Sequence, residues 1–308
     1  MGTRRVLVTG CSSGIGLAVA ARLAKDELKR FKVVATMRDL ERRGPLEKAA
    51  GDTLNKTLEI KQLDACSEVS IRECINSLPG RRVDVLVNNA GVGMIGPLEC
   101  QSISEMKELF DTNFFGLARL VKELLPDMKR RQSGHIVVMS SVMGIQGLLF
   151  NDVYSASKFA VEGFCESLAV QAMKFNIKMT LVEPGPVVTE FERKVYEDAE
   201  KMDLSGTDEE TAKIFREVYL QYSKRIFASL GQTPEEVAEQ TLQVITAKDP
   251  PLRHQTNRLY MPLTALKHAD PTGRLPLDTF YKMTFNYDRV FNASLGLLRL
   301  LQRRSKKL

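Results

Sequence analysis

A phenol and an ammonium stand four residues apart in Tyr154-Ser155-Ala156-Ser157-Lys158. On a helix that spacing puts them one turn apart on the same face. A phenol with an ordinary pKa of about 10 is a poor base at neutral pH, and a nearby cation lowers it by favouring the phenolate. The pair is suited to pass a proton to or from an oxygen. Ser141, just past a strand-like run, can hydrogen-bond the same oxygen, where developing charge gains most from a positioned donor. Its neighbour Ser140 competes for that role, and the spacing favours Ser141. Asn113, in Asp111-Thr112-Asn113, is expected to orient a water that connects Lys158 to solvent. The expected catalytic set is Asn113, Ser141, Tyr154 and Lys158.

Thr9-Gly10-Cys11-Ser12-Ser13-Gly14-Ile15-Gly16 follows the first strand-like run and opens the first helical one. Glycines at 10, 14 and 16 let the backbone turn tightly and approach a pyrophosphate at a helix N-terminus. Gly10, Ser12, Ser13, Gly14, Ile15 and Gly16 are therefore candidates to hold a dinucleotide. The spacing is G-x-x-x-G-x-G, distinct from the general G-x-G-x-x-G fingerprint. The second strand ends Ala35-Thr36-Met37-Arg38, without a carboxylate before Arg38 to bind a ribose 2′-hydroxyl. A guanidinium there pairs well with a 2′-phosphate, and Ser12 adds a hydroxyl contact. The expected cofactor is NADP(H); Asp39 is the acid that could oppose it. Asp64, after the third strand, is placed to hydrogen-bond the adenine. Asn89, Ala90 and Gly91, after the fourth, are placed to lie along the adenine ribose. Beside a nicotinamide, Tyr154 would protonate the alkoxide that forms as hydride reaches a carbonyl.

These residues need a scaffold, and its rhythm is legible. Near-continuous apolar runs at Arg5–Thr9, Lys32–Met37, Thr57–Leu63, Val83–Val87, His135–Ser140 and Ile177–Val182 read as strands covered on both faces. Amphipathic segments lie between them, from about Ile15 to Arg30, after Ser102 with Glu105 in capping-box spacing, and from about Val153 to Phe175. This order predicts an α/β fold: a Rossmann-type, doubly wound parallel sheet with helices on both faces. After Pro184 the pattern turns helical, with candidates at 208–230 and from Thr233-Pro234-Glu235-Glu236, and a late strand at Arg258–Met261. The reading is a single domain over 1–288, with a helical, substrate-covering insertion at about 190–232 and a tail at 289–308.

Composition narrows the class. A hydrophobic share of 44% in 308 residues is enough for a sizeable core. No apolar run approaches the roughly 20 residues that cross a bilayer, and the N-terminus carries no expected secretory signal. The five cysteines lack metal-ligand spacing and read as free thiols in a reducing compartment, with no metal site. The net charge of +6 equals the six basic residues of 289–308, a segment with no acid, so the body is balanced and offers no nucleic-acid face. His135, His254 and His268 are scattered and are assigned no catalysis.

Thr9–Gly16, Asn88-Asn89-Ala90-Gly91, Asn113, Ser141, Tyr154, Lys158 and Pro184-Gly185 together resemble the short-chain dehydrogenase/reductase family over residues 4–200. Over about 4–285 the chain is similar to the branch that holds retinol dehydrogenases and estradiol 17β-dehydrogenases, through Gly10–Leu17, Met128–Arg131, Phe150–Val153 and Val187–Phe191. The resemblance implies the Asn-Ser-Tyr-Lys roles and reversible carbonyl reduction. It also implies cofactor contacts at Pro184, Gly185, Val187 and Thr189, and commonly a homodimer.

Within that branch Ala35–Leu40, Asp111–Gly116, Val138–Gly144 and Val182–Phe191 are more similar to the retinoid enzymes. The steroid enzymes hold the far hydroxyl of their substrate with a His and a Glu; Tyr222 and Met283 align with those positions. A thioether in place of a buried acid suits a long apolar polyene better than a diol. The expected substrate is therefore all-trans-retinal, reduced with NADPH to all-trans-retinol; the alternative is NADP-dependent 17β-hydroxysteroid dehydrogenase activity. Expected substrate contacts are Ser141, Met143, Tyr154, Tyr222 and Met283. Phe191, Tyr196, Phe215 and Tyr219 are further apolar candidates in the insertion, with Met94, Met143 and Leu148 near the pocket mouth. In the tail, Val290, Ser294, Leu297, Leu298 and Leu301 share one helical face before Arg303-Arg304-Ser305-Lys306-Lys307. That pattern fits an interfacial helix on an anionic membrane and implies a cytoplasmic protein in peripheral contact. The tail has no cysteine for a lipid anchor, which the retinol enzymes carry.

Overall fold

A computed structural model describes residues 2–286, so the tail lies outside the described residues. Strand and helix alternate from the start: β1 (Arg4–Val8), α1 (Gly14–Ala24), β2 (Phe31–Met37), α2 (Gly44–Ala50), β3 (Leu58–Gln62), α3 (Glu68–Asn76) and β4 (Val85–Asn88). There follow α4 (Ile103–Phe110), a wide turn (Asp111–Phe115), α5 (Gly116–Arg131), β5 (Gly134–Met139), α6 (Asp152–Met173) and β6 (Ile177–Glu183). The helical region holds α7 (Glu190–Glu200), α8 (Glu209–Lys213), α9 (Leu220–Leu230) and α10 (Pro234–Thr246). β7 (Arg253–Gln255), α11 (Met261–Ala269) and α12 (Arg274–Tyr281) complete the described chain.

The seven strands are all parallel, in the order β3-β2-β1-β4-β5-β6-β7. The doubly wound expectation is met, and the strand order reverses between β1 and β4. Loops leaving the carboxyl ends of strands diverge at such a point and open a crevice for a ligand. Each face of the sheet buries its own apolar layer. Val6, Val8, Val33 and Val85 join Val19, Leu23 and Val237 on one face, while Leu7, Leu86, Ile136 and Leu181 join Leu120, Leu124 and Val161 on the other. A third cluster, with Phe150, Phe215, Tyr219 and Leu204, packs the helical cover away from the sheet.

Several elements differ from the sequence expectation for local reasons. The first helix stops at Ala24, short of Arg30, because the buried Asp26 carboxylate captures the Arg30 backbone and guanidinium and Lys29 takes a positive φ of 50°. The last strand is not Arg258–Met261. Residues Arg258–Tyr260 form a 3-10 turn capped by Asn257 that runs into α11, with Pro262 in its first turn, and the edge strand is the polar Arg253–Gln255. The 208–230 segment is helical, with a wide turn at Ile214–Tyr219. The expected capping box forms at Ser102 with Glu105, and the expected cap at Thr233 also closes a box with Glu236. No helix among the described residues is long and apolar enough to cross a membrane.

Candidate active site

The glycine-rich loop between β1 and α1 is stitched to the loop after β4. Asn89 Nδ2 donates to the Thr9 and Gly10 carbonyls at 3.0 and 3.2 Å, and the Asn89 and Ala90 N–H groups both donate to Thr9 Oγ1 at 3.0 Å. Gly10 has φ +71°, and a Cβ there would lie 2.9 Å from Ala90 Cα; a Cβ on Gly16 would run into Gly10 O and Asn89 Nδ2. Only glycine fits either position. Ser13 sits at the N-cap of α1 without a side-chain cap bond. The first N–H groups of that helix are thus left for an anion, as a pyrophosphate requires. Gly14 and Ile15 open the helix, and Ser12 is half-buried beside them.

Arg38 is exposed at the carboxyl end of β2 and lines a cleft of about 1370 Å3 with Cys66, Met94, Thr112, Val195 and Met202. Asp39 does not face this site: its Oδ1 caps Glu41 N at 2.9 Å. Asp64 Oδ1 accepts from Cys66 N at 2.9 Å, which fixes the turn after β3. Thr189 caps α7 by accepting from Glu192 N at 3.1 Å, and its methyl lies 3.4 Å from where a Cβ on Gly14 would sit. Pro184 and Gly185 leave β6 beside Ser141: the Pro184 carbonyl accepts from Val142 N at 3.0 Å, and the Tyr260 ring lies against Gly185. Val187 is buried in the same strip, bridged to Gln232. Residues present at the cradle, cleft and strip fit a dinucleotide with a 2′-phosphate.

Tyr154 and Lys158 lie on the first turns of α6, and Ser141 lies two residues past β5. The Ser141 hydroxyl hydrogen-bonds the Tyr154 phenol and also caps the next turn by accepting from Met143 N at 3.1 Å. Ser140 points the other way, towards Gly144 and Glu162. Lys158 is buried, with Nζ 5.7 Å from the Tyr154 ring centroid and donating to the Met139 carbonyl at 3.0 Å. Burial sets the protonation of both groups. It pushes the phenol well above its ordinary value, with the Glu192 carboxylate adding to the rise and Ser141 opposing it; it pushes Lys158 down to about 8. Burial therefore outweighs the neighbouring charges and keeps this phenol protonated.

Asn113 lies in the wide turn between α4 and α5. Its Oδ1 accepts from Val92 N at 2.8 Å, and its Nδ2 donates to Val92 O at 2.9 Å and Ser157 Oγ at 3.1 Å. Both amide donors are thus engaged inside the protein. The side chain fastens the loop after β4 to α6.

Of the apolar candidates, Phe215 is fully buried, stacks on Tyr219 and meets Phe150 edge-on, so it is core of the cover and not pocket wall. Tyr219 accepts a hydrogen bond from Asn151 at 2.8 Å. Tyr196 meets Phe227 edge-on, and Phe191 and Val195 press on Gly93. Tyr222 is half-buried and lies near Tyr260; Met283 is half-buried on the turn Lys282–Asn286. Glu192 was missed by sequence reasoning. Thr189 and Glu192 have capping-box spacing, which accounts for an acid there, but its side chain bears on Tyr154, Tyr196 and Tyr219 at the site, and burial pushes it up to about 7.

A dinucleotide cradle at the strand-order reversal, with a serine-bonded tyrosine over a buried lysine, defines an oxidoreductase acting on CH–OH groups. The chain belongs to the short chain dehydrogenase family, whose model matches residues 4–200. It is 55% identical over 295 residues to retinol dehydrogenase 8 of Bos taurus, spanning 96% of this chain and 95% of that one. It is 44% identical over 282 residues to human 17-beta-hydroxysteroid dehydrogenase type 1, spanning 91% and 85% respectively. The closed form of serine dehydrogenase complexed with NADP+ is similar in structure at a TM-score of 0.66 and 30% identity, covering 82% of this chain and 93% of that one.

Proposed function

We propose that this protein reduces all-trans-retinal to all-trans-retinol with NADPH. The observation that carries the reading is end-to-end similarity to a retinol dehydrogenase in a chain that keeps its serine-tyrosine-lysine constellation intact. NADPH, when bound, supplies the hydride. Gly10, Ser12, Ser13, Gly14, Ile15 and Gly16 hold its pyrophosphate, Arg38 with Ser12 its 2′-phosphate, and Asp64, Asn89, Ala90 and Gly91 the adenosine end. Pro184, Gly185, Val187 and Thr189 line the nicotinamide end. A raised phenol suits reduction, because Tyr154 stays a proton donor until an alkoxide forms beside it. Ser141 donates to that oxygen, and Lys158 steadies the tyrosinate left behind.

The apolar substrate lies under α7–α9, against Met143, Tyr222 and Met283. The six unbalanced positive charges of the tail support peripheral contact of a cytoplasmic enzyme with anionic lipid, and the family resemblance supports a homodimer. A panel of retinals and steroids with NADPH tests the reading. All-trans-retinal should turn over with NADPH far better than with NADH. Turnover of estrone with none of retinal overturns the retinoid assignment. Flotation with anionic liposomes, with and without 289–308, tests the tail: equal binding removes its role.

A further inference from the structure

Behind the catalytic helix three carboxylates converge on one guanidinium. Arg253 of β7 sends Nη1 to Glu162 Oε2 and Glu183 Oε1 and Nη2 to Glu166 Oε1, each at 2.6 Å. The Glu162 and Glu183 side chains are 4% and 0% exposed. One positive charge faces three negative ones, so burial pushes Glu162 up and Glu183 up to about 7. Such a cluster is a poor source of stability, since apolar residues of the same volume serve as well or better.

Its placement gives it another use. Glu162 lies one turn beyond Lys158 on α6, and its charge opposes the burial that strips the ammonium of its proton. A Cβ added at Gly144 would come within 2.8 Å of Glu162 Cγ and 2.9 Å of its Oε1, so the Ser141–Gly144 turn rests on this side chain. Glu183 ends β6 immediately before Pro184, whose carbonyl anchors Val142 in the same turn. The groups facing Glu162 are Lys158, Cys165 and Glu166 on its own helix, Ser140 just past β5, Glu183 on β6 and Arg253 on β7; Tyr154 in turn faces Glu192 of α7.

We propose that Glu162, clamped by Arg253, is a positioning residue for proton transfer: it seats the Ser141–Gly144 turn and supplies the negative charge that keeps Lys158 an ammonium beside Tyr154. This rests on the reading of the chain as a reductase that uses Tyr154. The test is the pH profile of kcat for the full-length enzyme with saturating NADPH and whichever carbonyl the wild type reduces.

Glu162→Gln keeps the volume and removes the charge. Its alkaline limb should move to lower pH by about half a unit or more, with KM for NADPH unchanged within about twofold. A limb left in the wild-type place overturns the proposal, whatever the variant's Tm. Should Glu162→Gln fail to fold, Glu162→Asp decides. It keeps the charge and withdraws the contact, so kcat should fall about threefold or more with the limb unmoved, and wild-type kcat overturns the proposal. A failed retinoid assignment leaves this test standing, whereas a Tyr154→Phe enzyme of full activity removes the reading beneath it.

Discussion

The Lys158 ammonium lies 5.7 Å from the centre of the Tyr154 ring and spends a hydrogen bond on the Met139 carbonyl, so it could reach the phenol only through space. A charge acting this way depends on the dryness of its surroundings, and α6 supplies that by burying Lys158 completely enough to push it down to about 8. On the proposed reading, the Tyr154 hydroxyl is the group that gives up the proton. Tyr154→Phe should lower kcat by about 10^3-fold, within the range for a lost general acid, and leave NADPH affinity within about threefold. Steady-state rates with fluorescence titration of NADPH check both halves.

Arg38 stands exposed at the end of β2 while Asp39 is occupied in capping the next turn. Arg38→Asp should reverse the cofactor preference, lowering kcat/KM for NADPH about 10- to 100-fold, the worth of a charge-assisted hydrogen bond. The ratio of kcat/KM for the two cofactors reads the change; an unchanged ratio places the 2′-phosphate elsewhere.

Glu192 bears on Tyr154 from α7, and its ionised form opposes the phenolate. Glu192→Gln removes that opposition. In the direction of alcohol oxidation, where the phenolate is the base, the acid limb of the rate should therefore move to lower pH. A pH–rate profile of retinol oxidation measures it, and an unmoved limb separates the two groups.

Glu183 carries a stability signature. Its folded value of about 7 stands above the ordinary 4.5, so between those pH values the native protein holds a proton that the unfolded chain has lost. Stability falls as pH rises through that window. Glu183→Gln lacks this dependence and should gain on the wild type by on the order of 2 kcal/mol between pH 5 and pH 8. Urea midpoints at the two pH values check the sign.

The parts of this architecture written in short-range patterns were legible in the sequence. Ser102 with Glu105 and Thr233 with Glu236 announce their helices because a cap is settled within four residues. The Gly10–Gly16 loop and the Tyr154–Lys158 pair are equally local. Strand β7 was not legible, because Arg253-His254-Gln255 has no apolar pattern and is held by pairing with β6. The inward turn of Asn113 depends on Ser157, forty-four residues on, and the clamp joins Glu162 to Arg253 across ninety-one. No local rule brings such partners together; the sheet does.

Asn89 ties the nucleotide cradle to a strand eighty residues further along the chain. A ribosome-bound fragment that has emerged only through α3 holds every glycine of Gly10–Gly16 but lacks the Asn89 and Ala90 bonds to Thr9 and Gly10. Cofactor capture is therefore a late event in the life of a new chain, postponed until β4 has docked beside β1. Once it can occur, it favours finished molecules over partial ones by mass action.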